Sequence, residues 1–381
     1  MRILHIVESL DRGGLERVVC DLVLEQIRSG DEVDVFCLFH DGAFAKDLLA
    51  RGVSMTTGGK RPGLDWRLLM KLRRFIRRGR YSIVHTHNPV SNYYAVVSLL
   101  TASWRPPLIN TRHNMGAQNP NDRREKIFRL SVCRTERVVM VSNQVAAKFV
   151  ESGVVRAGKV RVQVNGVPFD RCVARTPETT KIARQLLGLP ETAKVMGTVG
   201  RLVAVKNQQL LVNCLKSLSA LRDDIYLVLI GAGPLKEDLA SAARKLGLDA
   251  RILFAGERPD IPDLLPALDV FVLPSLSEGH SIALLEAAAA GLALVASAVG
   301  GNPEIVSDGT TGLLVSVGDA DATANAVQRL LLEPALNERL GRQARKWALT
   351  NASMSSMAIG YAAIYRDVLN GTEFTERRGS H

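Results

Sequence analysis

The chain has no apolar run as long as a membrane span, few cysteines, and no internal repeat or low-complexity stretch. A bilayer-crossing helix needs about 20 consecutive apolar residues, so no spanning segment is expected. Met1 leads directly into the apolar stretch Ile3–Val7, which reads as neither a signal peptide nor an anchor. The cysteines (Cys20, Cys37, Cys133, Cys172 and Cys214) are odd in number and lack paired spacing. That pattern argues against a disulfide framework and against zinc. Free thiols, mostly buried, in a reducing cytoplasm are the expectation. Acidic residues are also in deficit: 38 Asp and Glu against 49 Lys and Arg leave a formal charge of +11. Much of the surplus falls in Lys60–Arg80, which offers only Trp66 and Phe75 as aromatics and no base-reading motif, so no nucleic-acid partner is expected.

What is present is ordinary globular material, 46% apolar and 23% charged, in 381 residues, enough for two domains. Short β-branched runs alternate with amphipathic helical patterns. The runs are Ile3–Val7, Val33–Phe39, Ile83–His87, Leu108–Thr111, Val138–Val141 and Val160–Val164. The rhythm breaks at Asn165–Pro177, read as the linker. It resumes with strands at Val195–Val199, Tyr226–Ile230, Ile252–Phe254, Val270–Leu273 and Ala293–Ala296. Near-continuous apolar strands separated by helices signify parallel sheets covered on both faces. The fold class is therefore α/β: two successive parallel-sheet domains with a ligand cleft expected between them at the carboxyl ends of the strands. The divisions are residues 1–167, joined by a final helix at about 356–370 that carries Tyr361 and Tyr365, residues 168–355, and a flexible tail at 371–381.

The segment Ser277–Ala287 carries the most chemistry. Glu278 lies where a strand yields to an Ala-rich helix, and Glu286 lies further along that helix. A helix N-terminus receives anions through its N–H groups and dipole, whereas a carboxylate inside the helix suits a sugar hydroxyl. Eight residues of continuous helix advance roughly 12 Å, whereas a double-displacement glycosidase holds its carboxyls about 5–5.5 Å apart. The two acids therefore serve separate parts of one extended ligand, read as a nucleotide sugar. A solvated helix face beside a loop glutamate is the competing account. Cations that could meet a diphosphate are Arg201 and Lys206, in the loop after a strand, with Gly13-Gly14 as a close-approach turn and Ser281-Ile282-Ala283 as the helix terminus. His85, His87 and His113 end strands of the first half. Each could orient a hydroxyl or be a buried structural ring, and no third partner for a metal triad is visible. The basic Lys60–Arg80 helix has Leu68, Leu69, Leu72, Phe75 and Ile76 as its apolar face. It is either a solvated surface or one that meets anionic lipid or a phosphate-bearing acceptor.

Gly13-Gly14-Leu15-Glu16, Gly200-Arg201 with Lys206-Asn207, Gly231-Ala232-Gly233-Pro234, Phe254-Ala255-Gly256, Ser277-Glu278-Gly279 with Leu285-Glu286-Ala287, and Gly300-Gly301-Asn302-Pro303-Glu304 occur in an order that resembles the family 4 glycosyltransferases, from Ile3 to about Leu369. The resemblance implies a GT-B fold of two Rossmann-like domains whose last helix crosses back to the first. It also implies metal-independent, configuration-retaining transfer from a nucleotide diphosphate sugar, with no cofactor, to a hydroxyl of a glycan or lipid-linked acceptor. By matching position, Arg201 and Lys206 would hold the diphosphate and stabilise the leaving group. Glu286 would bind the ribose, Glu278 would lie at the donor sugar, and His113 would face the sugar and reaction centre. Gly14 would approach the donor phosphate, Arg258 beside Glu257 would edge the base, and Ser281, Ile282 and Ala283 would line the phosphate. The chain departs from the usual pattern at His280-Ser281 and Ala283, which leaves donor identity open, with a UDP-sugar favoured over GDP. Asp319-Ala320-Asp321 matches a D-x-D pattern but sits at a helix start, where capping is the better account. The alternatives are a UDP-sugar 2-epimerase of the same build and a non-enzymatic nucleotide-sugar binding protein. A cytoplasmic location, with peripheral attachment to the inner membrane face, completes the expectation.

Overall fold

The computed structural model describes residues 1–102, 104–116 and 122–376. The chain divides into two compact units: Met1–Gly166 with the chain from Met354 onward, and Val167–Ser353.

The first unit is a seven-stranded parallel sheet in the order β3-β2-β1-β4-β5-β6-β7. Its strands are β1 (Arg2–Val7), β2 (Glu32–Cys37), β3 (Ser54–Thr57), β4 (Ile83–His87), β5 (Leu108–Arg112), β6 (Arg137–Met140) and β7 (Val160–Val162). β3 escapes a sequence reading because Ser-Met-Thr-Thr lacks a continuous apolar run and lies half-exposed at the sheet edge. The basic segment folds as the helix Trp66–Gly79, capped by Asp65, whose carboxylate accepts from Leu68 N–H. Leu68, Leu69, Leu72 and Ile76 recur at helical spacing and are buried beneath it. Each is worth about 1.5–3 kcal/mol of burial.

The final helix runs Met354–Glu376 and packs on the helix Gly14–Arg28 of the same unit. It starts before the expected 356 and continues through Gly371–Glu376, where a flexible tail was expected, since no proline interrupts it. The rest of that expected tail lies outside the described residues.

The second unit has six parallel strands in the order β10-β9-β8-β11-β12-β13. These are β8 (Lys194–Val199), β9 (Ile225–Ile230), β10 (Ile252–Gly256), β11 (Val270–Leu273), β12 (Ala293–Ser297) and β13 (Leu313–Val315). Separate apolar cores cover its two faces. The stretch read as a linker belongs largely to this unit. Val167 is buried and donates its N–H to Ala352, and Pro177 is the first residue of a helix whose cap, Thr176, forms a reciprocal capping box with Thr179. In both sheets the strand order reverses once, between β1 and β4 and between β8 and β11. Loops at the carboxyl ends of those adjacent strands are brought side by side, the usual seat of a ligand in such sheets.

Among the described residues no disulfide forms: Cys20, Cys37 and Cys214 are buried, Cys172 is intermediate, and Cys133 is exposed. No described helix is long and apolar enough to cross a membrane.

Candidate active site

In the second unit the site grows from the β8 and β11 loops. After β8 the chain makes a single helical turn, Ala204–Lys206, ended by Asn207 in the left-handed region (φ 53°), a conformation asparagine tolerates. Gln208 Nε2 donates to the Arg201 carbonyl at 2.8 Å, closing this loop on itself. The loop after β11 is pinned to it: Leu276 N–H donates to Val205 O at 2.8 Å, and Asn207 Nδ2 reaches Pro274 O at 3.4 Å. From the other side Gly301 N–H donates to Gly279 O at 2.8 Å. Gly300 (φ 56°) runs so close that a Cβ there would lie 1.7 Å from the Glu278 carbonyl oxygen. These clamps set Lys206 Nζ 2.5 Å from Glu278 Oε1, with the carboxylate nearly buried and the ammonium a quarter exposed.

Glu278 is not part of the helix that follows. That helix is Ile282–Ala290, with Ser281 extended as its cap and Ser281 Oγ accepting from Leu284 N–H at 3.3 Å. The expected continuous helix from Glu278 to Glu286 is therefore corrected. The carboxylate at 278 is held in a loop, because an extended Ser281 cap delays the helix, and Glu286 lies a little over one turn inside it. Leu284, Leu285 and Ala287 to Ala290 are buried, whereas Ile282, Ala283 and Glu286 remain partly accessible. Spacing i, i+1, i+4 puts those three on one face. The first amides and the Glu286 carboxylate thus share a stripe, an anion-binding end beside a hydroxyl acceptor. His280 is buried, and desolvation lowers its pKa to about 4, so a neutral ring stands beside that terminus.

Arg201 is exposed, and its guanidinium makes no ion pair or hydrogen bond among the described residues. Arg258 instead forks onto Asp260, with Nε to Oδ1 at 2.7 Å and Nη2 to Oδ2 at 2.5 Å. That ion pair raises the Arg258 pKa and lowers that of Asp260. Asp319 caps its helix, as its position suggested, accepting from Ala322 N–H at 2.8 Å.

In the first unit, Gly14 opens the helix after β1, with an extended Gly13 as its cap. His113 follows β5, and its backbone N–H donates to Asn88 Oδ1 at 3.3 Å. Asn88 is itself left-handed (φ 66°) after β4, and its carbonyl accepts from Asn110 at 3.0 Å. Just before His113, Arg112 is buried against Glu125, its guanidinium 4.9 and 5.0 Å from the Phe128 and Phe149 ring centres. Although His113 keeps some exposed surface, desolvation of its imidazole, with the Arg112 charge second, lowers its pKa to about 3. His85 and His87 meet a third histidine, His5, on the adjacent strand, the three offering ring nitrogens within 4.8 Å of one another. His5 and Gln26 do not stand out in the sequence. The available signal was a polar residue interrupting the apolar run of β1.

Two family descriptions match the chain: "Glycosyltransferase Family 4" over residues 12–171 and "Glycosyl transferases group 1" over residues 179–347. A D-inositol 3-phosphate glycosyltransferase of Mycolicibacterium paratuberculosis is 30% identical, over 97% of this chain and 88% of its own. The Escherichia coli UDP-Gal:alpha-D-GlcNAc-diphosphoundecaprenol alpha-1,3-galactosyltransferase is 29% identical, over 77% of this chain and 76% of its own. Among solved structures, the Anabaena HepE complex with UDP-glucose matches 96% of this chain and all of its own with a TM-score of 0.85 at 23% identity. With both halves matched in order and two Rossmann-like parallel sheets of GT-B type, the chain belongs to the family 4 glycosyltransferases.

Proposed function

We propose that this glycosyltransferase moves a sugar from a UDP-sugar to a hydroxyl of a glycan or lipid-linked acceptor, with retention at the anomeric carbon and without a divalent metal. The observation that carries the reading is the junction of the β8 and β11 loops, where Lys206 meets Glu278 in the loop leading to the partly accessible stripe Ile282-Ala283-Glu286. Arg201, with an unoccupied guanidinium, Lys206 and the first amides of that helix would neutralise the departing diphosphate. Glu286 would accept from the ribose hydroxyls. The acceptor oxygen would bond to the anomeric carbon on the face the diphosphate leaves, and its proton would pass to the departing oxygen. In the first unit, Gly14 would bring backbone to the donor phosphate, and His113 would offer a ring nitrogen to the sugar. Metal independence is supported by those cations and by the engagement of Asp319 as a cap. The UDP preference is supported by relatives whose names carry UDP-Gal or UDP-glucose.

A second reading concerns where the acceptor resides. On the helix Trp66–Gly79, Trp66 is 67% and Met70 47% exposed, one turn apart. Lys71 is engaged with Thr57 O and Arg73 with Thr101. The guanidiniums of Arg67, Arg74, Arg77 and Arg78 make no ion pair or hydrogen bond among the described residues. Unpartnered cations beside exposed apolar tips suit an anionic lipid surface, which would bring a lipid-linked acceptor to the enzyme.

A panel of UDP- and GDP-sugars, screened by thermal shift and then by mass spectrometry of products with and without EDTA, tests the function. Transfer from a UDP-sugar that persists in EDTA is expected. Interconversion of free UDP-sugars without an acceptor would make the protein an epimerase, and activity restored only by manganese would overturn metal independence.

A further inference from the structure

Behind His113 lies a continuous relay of buried side chains within the first unit. His113 Nε2 is 3.0 Å from His87 Nδ1, His87 Nε2 is 2.9 Å from His5 Nδ1, and His5 Nε2 is 2.8 Å from Gln26 Oε1. A second branch leaves the other end of the same amide. Gln26 Nε2 donates to the Tyr365 hydroxyl at 3.2 Å, which is 2.7 Å from His85 Nδ1. His85 Nε2 lies 2.7 Å from Thr111 Oγ1, which contacts the Tyr361 hydroxyl at 3.0 Å. Apart from His113, every member is buried.

Desolvation keeps these imidazoles neutral near pH 7. A neutral ring has one N–H and one lone pair, so a ring that donates on one side accepts on the other. Each contact between two rings holds one proton. The row therefore has two senses only, and its inner end selects between them. With Gln26 Oε1 towards His5, the proton sits on His5 Nε2, so His5 Nδ1 accepts from His87 Nε2–H. His87 Nδ1 then accepts from His113 Nε2–H, and His113 Nδ1 is left with a lone pair. The second branch agrees: Tyr365, accepting from Gln26, donates to His85 Nδ1, and His85 Nε2–H donates to Thr111. Turning the amide end for end would invert every bond in both branches.

We propose that Gln26 is a positioning residue which, through His5 and His87, fixes the tautomer of His113 so that its Nδ1 accepts a hydrogen bond from a sugar hydroxyl. The proposal rests on the reading of His113 as a sugar contact. A metal held by His5, His85 and His87 is the competing account of the same cluster. It fits less well, because both ring nitrogens of each are already engaged and a bound ion would break the His5–His87 bond.

The test is two-bond 1H–15N correlation on protein labelled at its histidine rings. Wild-type His113 is expected as the Nε2–H tautomer. Gln26→Glu presents acceptors to both neighbours and should keep it. Gln26→Met should populate Nδ1–H at His113 and lower kcat/KM for the sugar donor about tenfold, the effect of one misdirected hydrogen bond, while UDP, which lacks the sugar, binds unchanged. Gln26→Glu should restore the rate. If Gln26→Met does not fold, Tyr365→Phe leaves the amide in place but frees it to turn, and should give both tautomers. A His113 that is Nδ1–H in the wild type, or that ignores both substitutions, overturns the proposal, as does stoichiometric zinc in the purified protein. If the tautomer responds but His113→Ala transfers sugar normally, the relay stands and the sugar contact falls. If His113→Ala is inactive and the tautomer is indifferent to Gln26, the relay alone falls.

Discussion

Lys206 is committed to Glu278: its ammonium lies 2.5 Å from a carboxylate that is only 9% exposed. An ammonium has three donors, so the pair holds the group in one place and leaves two, which in the proposed role would meet phosphate oxygens. Lys206→Ala should lower kcat by roughly 10²–10³, the usual cost of losing a preorganised donor to developing charge. It should also cost about 1–3 kcal/mol of stability, because Glu278 loses its partner. Glu278→Gln keeps an acceptor for the ammonium and should be milder in both respects. Steady-state kinetics at saturating donor, with melting curves alongside, decide the matter. An unchanged kcat in Lys206→Ala would remove the leaving-group role.

Arg201 and Glu286 should separate by kinetic parameter. The exposed, unoccupied guanidinium of Arg201 contributes nothing visible to packing, so Arg201→Ala should melt like the wild type while losing turnover. Arg201→Lys should recover part of it, keeping the charge without the fork. Glu286, on the accessible stripe of its helix, should act on nucleoside binding. Glu286→Gln is expected to raise the donor KM about tenfold, equivalent to about 1.4 kcal/mol, with little change in kcat. A kcat loss at constant KM would place this carboxylate at the sugar instead.

Gly300 tests whether the clamp on Glu278 matters. Its φ of 56° and the 1.7 Å approach of a built Cβ to the Glu278 carbonyl leave no room for alanine. Gly300→Ala should displace the 278–279 loop and cut activity at least as far as Glu278→Gln does, although residue 300 carries no chemistry. Gly309→Ala, also at positive φ (69°) but with nothing within 4 Å, is the control and should be close to neutral in activity. Equal activity in both variants would show that the loop position is unimportant.

Much of this was legible in the chain. Apolar strands with helices between them specify parallel sheets, and the order of the glycine-rich turns marked the loops at the carboxyl edges. Lys206 and Glu278 both stand out in the sequence, but their pairing does not, because it depends on the reversal that sets β8 beside β11. The Arg258–Asp260 fork was within reach of the sequence, two residues apart, yet nothing local distinguishes it from a base-edging loop. The histidine relay was the least legible part. His5 and His85 are register partners on neighbouring strands, and Gln26, Tyr361 and Tyr365 arrive from two helices far apart in sequence. Strand spacing alone shows only His85 and His87. Pro177 reads as part of the linker because proline breaks helices, whereas at the first helical position it starts one.

The helix Trp66–Gly79 gives a prediction independent of catalysis. Vesicles rich in anionic lipid should co-float the wild-type protein, and neutral vesicles should carry much less. Reversing Arg67, Arg74 and Arg78 to glutamate should abolish flotation, at about 1 kcal/mol per basic residue near the surface. Trp66→Ser with Met70→Ser should weaken it while leaving the salt dependence intact. These side chains face away from the buried Leu68, Leu69, Leu72 and Ile76, so melting temperature should hardly move. A charge-reversed protein that floats as well as the wild type would count against the membrane surface.

The desolvated histidines predict an acid-sensitive fold. Burial lowers the pKa of His5 and His280 to about 4 and of His113 to about 3, and drives His85 and His87 well below the ordinary imidazole value of 6.5. The unfolded chain takes up these protons near about 6.5 and the folded chain does not, so the unfolded state binds more protons below that pH. Stability is then full above about 6.5 and falls as the pH drops towards 4, by about 1.4 kcal/mol per pH unit for each ring held neutral. Four of the five rings (His5, His85, His87 and His113) belong to the first unit, which should therefore unfold first on acidification. Urea titrations between pH 8 and pH 5 should give a flat stability down to about 6.5 and a steep decline below it, shallower in His5→Gln, which removes one ring from the count. A midpoint that stays constant down to pH 5 would mean that these rings are protonated in the folded protein, and the neutral relay behind His113 would go with it.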